Sequence, residues 1–354
     1  METSIRTILN TAVWAPSGDN SQPWSFTIRG NTIRIHLNPN RDNPILNFKL
    51  SGTYIAHGAL IENILLAAPL SGLTANVRLL PDPVDYHCTA EIMFRETSES
   101  ADPLAVVIRD RHTNRKSYKD CPIDSKIPLA FSKVIQPIIG VRLFLIENQI
   151  ALRAIAGALA LMEQVALETP VLRKLFAGDV LWTKEENRSG KQGLYIDTME
   201  LPSPARFLIR HLSNPVVANL ASAIGIPKVA RVANTKLYAS APVMGLITIQ
   251  EESPTAYIAA GMALERVWLE ATCHKLAFHP VTGILFLARS VVQGATQELL
   301  SQHFGQIRKA NEEIKKQFGA NESDISAMLF RAGYAEPATA RSFRRSPDIR
   351  VEHI

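Results

Sequence analysis

Along the first hundred positions the apolar residues change rhythm three times. Helical spacing over Ser4 to Val13 predicts a short N-terminal helix, which gives way to the turn-rich run Ala15-Pro-Ser-Gly-Asp-Asn-Ser-Gln-Pro-Trp24. Strict alternation follows in Phe26–Arg29 and Thr32–Leu37 around Gly30-Asn31, the pattern of a β-hairpin closed by a two-residue turn. From Tyr54 to Leu70 the spacing is helical again, with Ala59, Leu60, Asn63, Leu66, Ala67 and Leu70 progressing around the surface. Small residues such as Ala56 and Gly58 mark this helix as one packed closely on several sides.

The same phrase returns in the second half. Tyr54-Ile-Ala-His-Gly-Ala-Leu-Ile-Glu62 aligns without a gap to Tyr257-Ile-Ala-Ala-Gly-Met-Ala-Leu-Glu265, and the register holds through Leu66/Leu269, Ala68/Ala271 and Leu73/Leu276. Self-similarity at so long a period predicts two related halves, each built on such a helix. The polar stretch Thr97-Ser-Glu-Ser-Ala-Asp-Pro103 places the boundary, giving halves of 1–100 and 101–354. Beyond it the pattern predicts a helix over Ala151–Leu167, an insertion or lid from Leu181 to Asn234, a buried strand over Leu237–Ile249 and a terminal helix from Gln293 to Phe318, closed by Gly319.

Composition narrows the class. With 46% apolar and 20% charged residues, the chain is expected to fold throughout, and its length favours two domains or a duplicated unit. Cys88, Cys121 and Cys273 share no short spacing, which argues against a zinc site and a disulfide framework. The start lacks the basic and apolar regions of a signal peptide, and no run approaches an uncharged membrane span, since Ala151–Leu167 carries Arg153 and Glu163. The expectation is a cytoplasmic protein with no membrane partner. A net charge of +5 is modest and is not interleaved with aromatics, which argues against nucleic acid and leaves a small anionic cofactor to explain the basic clusters. There is no G-x-G-x-x-G, P-loop, H-E-x-x-H or G-x-S-x-G pattern.

Four segments carry candidate chemistry. Ala15-Pro-Ser-Gly-Asp-Asn-Ser-Gln-Pro-Trp24 resembles the flavin loop of the nitroreductase superfamily. In that resemblance Pro16, Ser17 and Gly18 let the backbone approach a flat ring, Asn20 serves its polar edge, and Gln22 either joins it or anchors the loop. Arg111-His-Thr-Asn-Arg115 is similar to the family's phosphate segment, and Arg111, His112, Thr113 and Arg115 offer guanidinium groups, a ring N–H and a hydroxyl within five residues. Leu329-Phe-Arg-Ala-Gly-Tyr334, followed by Arg341 and Arg344-Arg-Ser-Pro347, resembles the closing strand and arginine tail, with Arg345 at the matching place and Arg344 its helper. His279-Pro-Val-Thr-Gly-Ile284 resembles the turn beside the isoalloxazine, where Pro280, Thr282 and Gly283 carry over by position; Thr282 departs from the frequent glutamate. Lys236, before the Ala241-Pro242 pair, occupies the spacing of a lysine near the ring's pyrimidine edge.

The resemblance implies an α+β nitroreductase-like fold in which two related halves form an intrachain pseudo-dimer of the mycobacterial Acg type. The flavin loop lies before residue 100 and the other motifs after it, so one complete FMN site is expected between the halves. It implies an FMN-dependent oxidoreductase passing electrons from NAD(P)H to a nitro-aromatic, a quinone or a similar small acceptor. Two alternatives remain open: a protein that stores FMN beneath the 181–234 lid, and a dehydrogenase of a peptide or heterocycle. No catalytic acid or base is named, no metal is expected, His57 reads as a satisfied core residue, and the protein is expected to be a monomer or a homodimer.

Overall fold

A computed structural model describes residues 1–41, 45–82, 84–296 and 299–352. The N-terminal helix α1 (Glu2–Ala12) buries Ile5, Ile8, Leu9 and Ala12 and leads through the turn-rich loop to the predicted hairpin, β1 (Trp24–Arg29) and β2 (Thr32–Leu37), paired antiparallel with Arg29 opposite Thr32. Helix α2 (Ser51–Ala67) is buried on nearly every side, and β3 (Leu73–Leu79) and β4 (Cys88–Glu96) complete the first lobe.

After the polar boundary come α3 (Lys126–Val134), β5 (Val141–Ile146) and a pair of helices, α4 (Gln149–Leu159) and α5 (Leu161–Glu168), where a single helix over Ala151–Leu167 is expected. The ladder breaks at Ala160, which caps the first and opens the second. The predicted insertion contains its own elements. After α6 (Pro170–Gly178) these are β6 (Val180–Leu181), α7 (Lys184–Arg188), β7 (Leu194–Tyr195), α8 (Ser203–His211), α9 (Pro215–Ala223) and α10 (Ile226–Ala239). Then follow β8 (Val243–Ile249), α11 (Pro254–Cys273), β9 (Ala277–Pro280), α12 (Gly283–Val292), α13 (Phe304–Phe318), β10 (Ile325–Gly333) and β11 (Ile349–Val351).

Two element boundaries differ from expectation for local reasons. Residues 237–239 finish α10, and the strand begins only past Pro242, which has no N–H to give a ladder. The terminal helix starts at Phe304, after a 3₁₀ turn at Ser301–His303, and ends as expected at Gly319, whose φ of 65° permits the left-handed C-cap; Gln297 and Glu298, within the expected helix, lie outside the described residues. Two helical runs, Phe48–Ser71 and Gln149–Glu168, do have the length and apolarity to cross a membrane, contrary to expectation. Their most apolar windows are 83% and 56% buried inside the fold, which accounts for that composition.

The result is α+β. One sheet has the order β11-β1-β2-β4-β3 and the other the order β5-β8-β10-β9. Strand β11 runs parallel to β1, with Phe26 opposite Ile349, so the tail of the second half returns to edge the first sheet. Between the sheets α2 and α11 pack against each other, and the repeat seen in sequence becomes geometry at their crossing. A Cβ on Gly58 would lie 2.0 Å from the carbonyl oxygen of Ile258, and a Cβ on Gly261 would lie 2.0 Å from that of Ile55. Both pairs are related by the offset that aligns Tyr54 with Tyr257, so the contact is reciprocal and admits only glycine at either point.

Candidate functional site

A cavity of about 1320 Å³ opens beside this crossing, bounded by α2 and α11 through Ile55, Ala56, Leu264 and Trp268. It exceeds the roughly 300–1,000 Å³ of most small-molecule sites. Three of the sequence motifs converge on it, and so does the tail. Pro16, Ser17, Gly18 and Asn20 line it from the first lobe; Arg111, His112, Thr113 and Arg115 from the segment after the boundary; Pro280, Thr282 and Gly283 from the β9–α12 turn; and Arg344 from the tail.

The first loop is held in an unusual backbone state. Asp19, Asn20 and Gln22 all have positive φ, between 48° and 53°, a conformation that costs non-glycine residues free energy and must be held by its surroundings. The tail supplies much of that hold. Asn20 donates its amide to the Phe343 carbonyl and accepts from Arg344 at 2.7 Å, while Gln22 accepts from the Arg345 backbone N–H at 2.9 Å. Ser17 Oγ accepts from the Gln22 amide. Gln22 thus anchors the loop away from the cavity lining, and the Asn20 side chain is already engaged with the tail.

Arg111 is 2% exposed. Its guanidinium stacks on Trp268 at 4.3 Å, donates to the Trp14 carbonyl and lies 3.2 Å from Glu265, too poorly aligned for a hydrogen bond from Nε. Arg341 stands over the Trp14 ring at 5.4 Å and donates to the carbonyls of Arg109 and Arg111. Arg344 leaves its Nε buried without a partner. Burial first, and then the neighbouring guanidinium groups, press Arg344 below the ordinary arginine range; burial and Arg341 do the same to Arg111. Glu265 opposes these cations, and its own carboxyl is pushed up to about 7 by burial, an effect that Arg111 partly offsets. Arg111 and Arg344 share this one buried carboxylate, with the exposed Arg341 beside them, which leaves the site short of negative charge.

The aligned position in the sequence repeat behaves differently. Glu62, the counterpart of Glu265, receives Arg266 Nη1 at 2.6 Å, while Arg266 also donates to Asp102 and to the Val134 carbonyl. That arginine is saturated by protein acceptors.

Other predicted residues fall into distinct settings. His112 is the donor to the Asp110 carbonyl through Nδ1, and burial lowers its pKa, so the neutral ring presents Nε2 as an acceptor and its N–H is already committed. Arg115 turns away from Arg111 and donates to the Thr198 carbonyl of the insertion. Lys236 is exposed in the last turn of α10, whose Ala233, Asn234, Leu237 and Tyr238 line the cavity; Arg345 lines a smaller pocket behind Trp14. The structure therefore does not bring Lys236 or Arg345 to the cavity wall. His57, as expected, is a satisfied core residue between Thr89 Oγ1 and the Pro23 carbonyl, with its pKa lowered to about 4 by burial.

Sequence reasoning missed a second polar group on the cavity wall. Tyr238 donates to Glu163, whose other oxygen is buried without a partner; burial raises the Glu163 carboxyl to about 7, more than the Tyr238 bond lowers it. Beside them Arg331 stacks on Tyr118 at 4.1 Å and donates to His279 Nδ1 at 3.1 Å. That bond fixes the remaining proton of neutral His279 on Nε2, and burial holds the ring well below its usual pKa. The one signal available in sequence was a lone glutamate in an apolar helical run.

No family model matches the chain. It is 23% identical over 344 residues to the uncharacterized protein MT1398 of Mycobacterium tuberculosis (strain CDC 1551 / Oshkosh), covering 96% of this chain and 47% of that one. Over 122 residues it is 28% identical to the same organism's "Putative NAD(P)H nitroreductase MT3217", covering 34% of this chain and 36% of the relative. The chain spans less than half the length of the curated relatives it matches. Among solved structures, the FMN-bound nitroreductase of Desulfitobacterium hafniense DCB-2 aligns with 70% of this chain and 95% of its own, at 16% identity and a TM-score of 0.37. The chain is thus similar along its length to an uncharacterized mycobacterial protein and, over a third of it, to relatives named for NAD(P)H nitroreductase activity.

Proposed function

We propose that the cavity binds one FMN and that the chain is an FMN-dependent oxidoreductase. In this reading NAD(P)H and one proton enter, and NAD(P)⁺ and an acceptor carrying two more electrons and two more protons leave; the acceptor is a nitro-aromatic, a quinone or a similar small molecule. The supporting observation is the cluster of buried Arg111, half-buried Arg344 and exposed Arg341, short of counter-charge and with a buried, unpartnered Nε on Arg344, at the edge of a cavity large enough for a flat heterocycle and a second molecule. A phosphate supplies the acceptors and charge that such a cluster lacks. Gly18 adds room, since a side chain there would meet nothing within 4 Å. Pro16, Ser17 and Gly18 on one side, and Pro280, Thr282 and Gly283 on the other, would flank the ring, and the first amides of α12, which have no acceptor within their own helix, would face it.

When bound, the flavin supplies reversible two-electron chemistry; the protein contributes position, field and exclusion of water. Glu163 with Tyr238 can hold a proton at the cavity wall near neutral pH. We further infer that residues 1–100 and 101–354 are related halves of a fused pair, with Arg266 saturated where Arg111 is left open. The test is the visible spectrum of the purified protein with added FMN, followed by anaerobic mixing with NADH and NADPH. Flavin bleaching on mixing supports turnover; a protein that takes up no FMN refutes the reading.

A second reading, FMN storage, is favoured by one feature. Leu208, Ile209, Leu212 and Ile226 of the insertion roof the cavity, and Gly193 donates to the Asp19 carbonyl of the strained loop. Bound flavin that stays oxidised under excess NAD(P)H supports storage.

A further inference from the structure

From Leu201 to Gln250 the chain contains no aspartate or glutamate but five arginines and lysines, equal to the net charge of the whole protein. This stretch holds α8, α9 and α10, the helices that roof the cavity. Their outer surface is apolar where a water-facing helix is usually polar. Phe207, Val216, Leu220, Ile224, Val229 and Val232 are each between 56% and 74% exposed, and Val216, Leu220 and Ile224 follow one another at four-residue spacing.

Two of the cations are spent inside the fold: Arg206 pairs with Asp197, and Arg231 donates to Gln164. Arg210, Lys228 and Lys236 are exposed beside the apolar residues and make no ion pair among the described residues. Exposed apolar side chains interleaved with unpaired cations are the composition of a surface that sits in the headgroup layer of an anionic bilayer.

We propose that α8, α9 and α10 form a docking face for an anionic lipid surface. A second copy of the chain fits this face poorly, because a two-fold contact sets Arg210, Lys228 and Lys236 against themselves with no carboxylate on the face to receive them. Asp197, Glu200 and Glu163, acids next to these helices, are already engaged by Arg206 and Tyr195, by Thr339 and by Tyr238. The expectation of no membrane partner rested on the absence of a spanning segment, and a contact lying in the interface plane needs none.

The same helices present Leu208, Ile209, Leu212 and Ile226 to the cavity, so about one helix diameter, roughly 10 Å, separates it from the proposed lipid contact. Resting on the oxidoreductase reading, this selects an apolar, membrane-soluble acceptor of the quinone class.

The experiment is flotation of the full chain, with and without FMN, on vesicles of phosphatidylcholine alone and of phosphatidylcholine with an equal part of phosphatidylglycerol, at low and high salt. The expected result is at least about tenfold stronger partitioning onto the anionic vesicles, weakened by salt. The paired variants Val216→Glu with Leu220→Glu, and Lys228→Glu with Lys236→Glu, should each lose about tenfold or more while keeping the parent's melting temperature and FMN spectrum. Equal partitioning onto both vesicles, no binding, or variants that bind like the parent overturns the proposal. So does a parent dimer in sedimentation velocity that Val216→Glu with Leu220→Glu converts to monomer without any vesicle binding. Loss of FMN uptake with intact vesicle binding counts against the oxidoreductase reading alone.

Discussion

Replacing Gly58 or Gly261 with alanine tests the reciprocal crossing of α2 and α11 directly. Either Cβ would meet a carbonyl oxygen at 2.0 Å, and side chains do not approach closer than 3.0 Å, so the two helices must separate by at least 1.0 Å at the crossing. Backbone on one side and a fixed Cβ on the other leave no rotamer to relieve the contact. Separation of this size forfeits a quarter to a half of the dispersion well for the surrounding atoms, and overpacking of this kind costs about 3 kcal/mol. For a chain of this length that corresponds to roughly 4 °C in melting temperature.

The sharper test is the double variant. Both substitutions act on one coordinate, the distance between the same two helices, so once one has opened the crossing the second adds little. Together they should cost about 4 kcal/mol, where independent sites would cost about 6, a coupling of about 2 kcal/mol. Urea titrations of the parent, the two single variants and the double variant give the cycle. Single variants within about 0.5 kcal/mol of the parent, or a double variant that equals the sum of the singles, would refute the reciprocal packing.

Arg344→Met should act in opposite directions on two measurements: the flavin-free protein melts higher, because a cation whose Nε is buried without an acceptor is gone, by more than the lost bond to Asn20 costs, and FMN binds about 30- to 100-fold more weakly by fluorescence titration. Glu163→Gln addresses pH. Because burial raises that carboxyl from 4.5 to about 7, its neutral form stabilises the fold at low pH, and that contribution, about 3 kcal/mol, is lost as pH rises through that interval. The variant should therefore lose less stability than the parent on going from pH 4.5 to 7.5; an unchanged pH profile of melting refutes the assignment. His57 has the opposite sign: its pKa is lowered from 6.5 to about 4, so stability falls as pH drops through that window, and His57→Gln should flatten the acid limb of the same profile.

Much of the frame was legible because it rests on local rules. The hairpin at Gly30-Asn31, the buried helix at Tyr54 and the repeat at Tyr257 all follow from periodicity, while the packing of the two repeated helices on each other appears only in the structure. Of the candidate site, the segments Pro16 to Gly18 and Pro280 to Gly283, singled out in sequence for their backbone shape, do line the cavity. Side-chain commitments were not legible. Whether Asn20 serves a ligand or the tail depends on residues hundreds of positions away, whether Lys236 turns inward on one step of helix phase, and whether the His112 N–H is free on the local turn that brings it to the Asp110 carbonyl. Glu163 and His279 were given no role because a polar residue in an apolar run gains meaning only when its neighbours leave a wall of the cavity around it.

The pairing of residues 349–351 with β1 sets an order of events during synthesis. All other strands of that sheet have emerged by Glu96, yet the outer edge of β1 must wait for Val351. At roughly 5–20 residues per second, the ribosome leaves that edge open for on the order of 10–50 s, a window in which it can recruit a stray strand or a chaperone. A premature stop anywhere in the second half therefore also leaves the first sheet unfinished.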